Sequence, residues 1–206
     1  MIFSNKIRVP FSFIFFLISI SSFGREISID TSTALPESIK KQVPGEIKGH
    51  FNFTDTLGQH FLVLAREHKI EANEKEYIAI RALQFISDDT AWKQEWIIKD
   101  YIECQGVDIS GEFLINLVSF SDLDANNIVE TTIPYYLICA GGIEPRLTKV
   151  IMRQREVKYA VRGESFVRVD EKTSYGGTFK ADKELDLVPK FKTHLISVWK
   201  KAAGIN

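Results

Sequence analysis

The sequence predicts a mainly β, β-rich α+β domain: an antiparallel meander of about eight strands closed by one C-terminal amphipathic helix. From Ile47 onward, short apolar stretches rich in Phe, Ile, Val, Tyr and Thr alternate with clusters of Gly, Asn and Asp, the spacing of strands joined by turns. After Pro189 the period changes, and Phe191, Leu195 and Trp199 recur every four residues with Lys190, Lys192, Lys200 and Lys201 off that stripe, as on a helix. Two cysteines, Cys104 and Cys139, are available to staple the fold.

The chain opens on Lys6 and Arg8, then the uncharged run Val9 to Phe23, then Gly24 before Arg25. Basic, apolar, then small is the order of a secretory signal, here residues 1–24. A spanning helix needs about 20 apolar residues, and this run stops short of that. Cleavage after Gly24 leaves no stable membrane span, with a retained anchor as the alternative. Residues 25–46 mix Ser, Thr, Pro, Lys and Glu, and Pro36 and Pro44 interrupt any helix, so they read as a flexible lead-in. Residues 47–206 then form a single β-rich domain, a processed chain of about 180 residues being of one-domain length.

Its expected strands are Ile47 to Phe53, Phe61 to Glu67, Tyr77 to Ile86, Glu95 to Glu103, Phe113 to Phe120, Val129 to Cys139, Leu147 to Arg153 and Val157 to Val161. Asp55-Thr-Leu-Gly58 supplies a Gly for a hairpin reversal, and Asn126-Asn127 offers residues that tolerate the left-handed region. Pro189 suits the first turn of a helix running to about Ala203, whose apolar stripe packs on the sheet.

Charge narrows the partners. A formal net charge of -1 with 45% hydrophobic residues is a folded chain without the electrostatic footprint for nucleic acid. For an exported chain an even cysteine count is most simply read as one disulfide, Cys104 to Cys139, bracing the central hairpin across a loop of about 35 residues. Two buried free thiols are the alternative.

A longer ordered set of motifs begins near Ile98 and runs to about residue 202. It comprises Ile98-Lys-Asp-Tyr-Ile-Glu-Cys104, Ser121-Asp-Leu-Asp-Ala-Asn-Asn-Ile-Val-Glu130-Thr, Tyr135-Tyr-Leu-Ile-Cys139, Glu144-Pro145, Lys149-Val-Ile-Met152, Lys158-Tyr-Ala-Val-Arg-Gly163 and Gly176-Gly-Thr-Phe179. In this order it resembles a family of small exported bacterial proteins associated with surface polysaccharide biosynthesis. The resemblance implies an envelope setting and a surface-glycan role; it implies no reaction and brings no catalytic residues.

Several constellations are candidates for chemistry. Asp122, Asp124, Asn126 and Glu130 occupy positions 1, 3, 5 and 9 of a loop, the spacing by which oxygen ligands converge on calcium. The plain structural reading is an Asx-capped hairpin turn. Trp92 and Trp96 share a face if their segment is extended and would stack on sugar rings, unless both rings pack in the core. Arg153, Arg155 and Arg162, with Lys149 and Lys158, give residues 147–162 a basic character that suits an acidic glycan or a lipid headgroup, or simply a solvated sheet face. His50, His60, His68 and His194 make no short metal pair, and no Gly-x-Ser-x-Gly elbow or phosphate loop occurs.

The expected function is therefore that of an exported, non-enzymatic protein of the bacterial envelope, periplasmic or secreted, meeting an envelope glycan or envelope protein. A calcium-dependent binding module using the 122–130 loop and a glycan-acting envelope enzyme are the alternatives. No cofactor is expected beyond that calcium.

Overall fold

The computed structural model describes residues 29–88 and 90–205. The export signal expected at residues 1–24 lies outside them. In chain order the elements are β1 (Ile29–Asp30), α1 (Glu37–Lys40), β2 (Glu46–Asp55), β3 (Gly58–Ile70), β4 (Lys75–Ser87), β5 (Trp92–Gln105), β6 (Asp108–Phe113), β7 (Ser119–Ser121) and β8 (Glu130–Ala140). These are followed by β9 (Leu147–Gln154), β10 (Val157–Glu164), β11 (Val167–Arg168), β12 (Ser174–Tyr175), β13 (Phe179–Ala181) and α2 (Pro189–Ala202).

The β-rich, antiparallel character and the C-terminal helix match the sequence reading. The meander, however, is divided into two sheets. One runs β1-β2-β3-β4-β5; the other runs β13-β10-β9-β8-β6, with β7 also on β8, and β11 pairs with β12 as a separate ribbon. The sheets pack face to face, because Leu62, Leu64, Ile78 and Ile80 of the first share one core with Ile133, Leu137, Ile151 and Ala160 of the second. Such a sandwich buries the alternate residues of each strand.

Both outer faces are also covered, which explains why Phe61 to Ala65 are buried without alternation. On the second sheet, Phe191, Leu195, Val198 and Trp199 of α2 lie on Val150, Met152 and Val161. The Trp199 indole N–H donates to the Thr148 carbonyl at 3.1 Å, so its ring is buried without an orphaned donor. On the first sheet, Leu35, Ile39 and Val43 pack against Phe61, Val63, Leu83 and Phe85. Residues 35–43, expected as part of a flexible lead-in, are therefore a packed layer of the domain. Three apolar side chains at four-residue spacing supply the burial that the interrupting prolines obscured in the sequence.

One expected strand is corrected. Residues 113–120 do not run straight: β6 ends at Phe113, a single 3-10 turn covers Ile115–Leu117, and β7 begins at Ser119. The cause lies on the facing strand. The Pro134 carbonyl accepts the Leu114 N–H at 3.0 Å, which places the missing Pro134 N–H on the same side, and the ladder breaks there. The predicted hairpin at Asp55 to Gly58 is present, with Gly58 at φ 140° and the Asp55 carboxylate accepting the Leu57 N–H at 2.7 Å. In the other predicted turn, between β7 and β8, the left-handed residues are Ala125 and Asn127.

Cys104 and Cys139 form a disulfide, with Cα atoms 5.8 Å apart. It does not brace a hairpin: Cys104 is the penultimate residue of β5 in one sheet and Cys139 the penultimate residue of β8 in the other, so the bond ties the two layers together. Among the described residues no helix is long and apolar enough to cross a membrane.

A basic cleft as the candidate functional site

Where β5, the edge of the first sheet, crosses the inner face of β8, β9 and β10, a cleft of about 420 Å³ opens between the sheets. Pockets of roughly 300–1,000 Å³ are the usual size for ligand sites. Strand parity fills it with charge. Ile151 and Ala160 face the core between the sheets, so their period-two neighbours Lys149 and Arg153 on β9 and Lys158 and Arg162 on β10 face the same way. The register sets them in two opposed pairs, Arg162 against Lys149 and Lys158 against Arg153.

Among the described residues, Asp100 is the one carboxylate that lines this cleft. It accepts from the Lys149 ammonium at 2.5 Å and from the Tyr135 hydroxyl at 2.9 Å. Burial and the neighbouring Asp100 charge push the Tyr135 phenol well above its ordinary range, so it stays a donor. Arg162 pairs with Asp182, just past β13, at 2.5 Å. The Arg153 guanidinium lies over the Trp96 ring, 5.3 Å from its centroid, and its Nη1 donates to the Glu156 carbonyl at 3.1 Å. Of the basic residues read from the sequence, four converge on the cleft; Arg155 sits in the β9–β10 turn at φ 52° and is exposed.

Behind the cleft a buried polar network joins the layers. His60, 1% exposed, sits 3.0 Å from Asp55 and 3.5 Å from Glu95. Gln84 donates to Glu95 at 2.7 Å and accepts from the Thr131 hydroxyl of β8 at 3.2 Å. Burial alone would lower the pKa of His60, but its hydrogen bonds to the two carboxylates and their charges raise it to about 9. None of these partners could be paired from sequence spacing.

The two tryptophans do not form a sugar platform. Trp96 is 4% exposed in the core between the sheets, and Trp92 packs edge-on against Phe61 with centroids 5.0 Å apart on the outer face. They lie on opposite faces although four residues apart. Phe85 pairs with Gln94 and Gln84 with Trp96, so Glu95 is an extra residue in a bulge that reverses the alternation.

Asp122, Asp124 and Glu130 do come together, with one oxygen of each within 4.8 Å of the others. Their lone pairs serve the turn itself. Asp122 accepts the Asn126 and Asn127 N–H groups at 2.9 and 3.0 Å, and Glu130 accepts from Leu123 N–H, Ser121 and Gln154 at 2.8, 3.1 and 2.9 Å. The Asn126 side-chain oxygen accepts the Ile128 N–H at 2.7 Å instead of joining the carboxylates. The hydrogen bonds are those of an Asx-type capped turn.

No family model, curated protein or solved structure matches this chain.

Proposed function

We propose that the protein works outside the cytoplasm as a non-enzymatic component of the cell envelope that holds an acidic polysaccharide in the cleft between its sheets. The observation that carries this reading is the charge of the cleft: Lys149, Arg153, Lys158 and Arg162 face it, and among the described residues Asp100 is the only acid lining it. Low-dielectric walls with an excess of positive charge focus the field on an anion and raise its local concentration. The resemblance of residues 98–202 to exported surface-polysaccharide proteins supplies the glycan class, and the disulfide suits an oxidising compartment.

Binding is favoured over hydrolysis because glycosidases use two carboxylates facing across the scissile bond. Here the cleft offers one, already committed to Lys149 and Tyr135.

Affinity for polygalacturonate, measured by calorimetry against neutral dextran across a sodium chloride series, tests the reading. Binding of the polyuronate that weakens with salt, and none of dextran, is expected. Binding of neither polymer, or of both equally, overturns it.

A further inference from the structure

The two opposed cation pairs of the cleft are not equivalent. Arg162 and Lys149 are each answered by a carboxylate, Asp182 and Asp100, both at 2.5 Å. Arg153 and Lys158 also stand opposite one another on adjacent strands. Directly opposed side chains have Cβ atoms about 5 Å apart, and like charges there repel. Yet among the described residues neither has a carboxylate at ion-pair distance.

The acids whose field reaches Arg153 are Glu95 and Glu156. The Glu95 carboxylate is engaged by His60 and Gln84, and Glu156 meets the guanidinium through its backbone carbonyl. The guanidinium is nevertheless held in place, seated over the Trp96 ring with Nη1 tied to that carbonyl. Its Nε is buried without an acceptor, and so is the indole N–H of Trp96 beneath it. An arginine held in place with no carboxylate to answer its charge, next to an exposed lysine equally unanswered, is an arrangement that an incoming oxyanion completes.

We infer that Arg153 and Lys158 form the subsite that takes the carboxylate of an acidic sugar residue, while Lys149 and Arg162, already neutralised, shape the rest of the cleft. This rests on the reading that the cleft binds an acidic polysaccharide. Arg153 supplies the planar donor geometry matched to a carboxylate, which a lysine at that place does not reproduce. Lys158 supplies a mobile charge at the rim.

Calorimetric titration with polygalacturonate, its fully methyl-esterified form and dextran sulfate separates the possibilities. The polyuronate binds wild type, the ester does not, and dextran sulfate binds more weakly. Lys158→Gln and Arg153→Lys each lose at least tenfold in affinity, while Lys200→Gln, on α2 away from the cleft, is unchanged. Failure of wild type to bind the polyuronate overturns the cleft reading and the subsite with it. Binding by wild type with both cleft variants unaffected overturns the subsite alone. An ester or a sulfated polymer bound as tightly as the acid overturns the carboxylate assignment. Lys158 is exposed on a strand, so if Arg153→Lys does not fold, Lys158→Gln alone decides.

Discussion

Removing the link between the layers by the double change Cys104→Ala and Cys139→Ala is expected to cost about 4 kcal/mol of stability. The bond joins residues 35 apart in sequence. In the chain-entropy model, closing a loop of about 35 residues removes roughly 13 cal/mol/K from the unfolded ensemble, which is about 4 kcal/mol at 25 °C. For a domain of this size that corresponds to a fall in Tm of about 8–16 °C. The effect extends to the cleft, because Cys104 and Cys139 lie on the same two strands as Asp100 and Tyr135, whose 2.9 Å hydrogen bond is the neighbouring tie between β5 and β8. Urea unfolding followed by tryptophan fluorescence measures the change, with reduced wild type as the control for the variant. Polygalacturonate affinity should fall in parallel as the two walls gain freedom. A loss below about 1 kcal/mol, or a reduced wild type as stable as the oxidised protein, would refute the reasoning and assign the sheet-to-sheet contact to core packing alone.

Gly163→Ala should destabilise by about 3 kcal/mol, at the upper end for overpacking, since an added Cβ would lie 2.0 Å from the Thr178 carbonyl oxygen and 2.7 Å from the Phe179 Cα, both backbone atoms; denaturant midpoints check it. His60 has its pKa raised to about 9 when folded, so its contribution is whole below about pH 6.5 and is lost as pH climbs through 9. His60→Gln should flatten that limb of a Tm-against-pH curve, and an unaltered slope contradicts the network. Glu130 behaves with the same sign in a lower window: burial, then repulsion by Asp124 and Asp122, outweigh its hydrogen bonds and raise its pKa to about 7. Its contribution is present below about pH 4.5 and lost as pH rises through 7, so Glu130→Gln should be more stable than wild type at pH 8 and closer to it at pH 4.

Local rules were sufficient for much of the architecture. Alternation and turn chemistry set β2 to β5 and β8 to β10 close to their observed places, and Phe191, Leu195 and Trp199 announced α2 with its buried face. These are periodic signals, read within a dozen residues, and neighbouring segments do not alter them. The basic character of residues 147–162 was visible for the same reason, and period two assigns Lys149, Arg153, Lys158 and Arg162 to one face once their strands are drawn.

What tertiary structure decided is everything that depends on partners distant in the chain. A single bulge at Glu95 sends Trp92 and Trp96 to opposite faces, and no spacing rule shows that extra residue before β4 and β5 are paired. Pro134 interrupts a strand only because its missing N–H faces β6 and β7. The division into two sheets turned a presumed hairpin staple into a bond between layers. The cleft itself is the clearest case: Asp100 reaches Lys149 across 49 residues of chain and Asp182 reaches Arg162 across 20, leaving Arg153 and Lys158 unmatched. Sequence by itself determined which side chains are cationic and which face of a strand they share. Which of those charges are cancelled was decided by folding, because Coulomb energy depends on separation in space and is indifferent to separation along the chain.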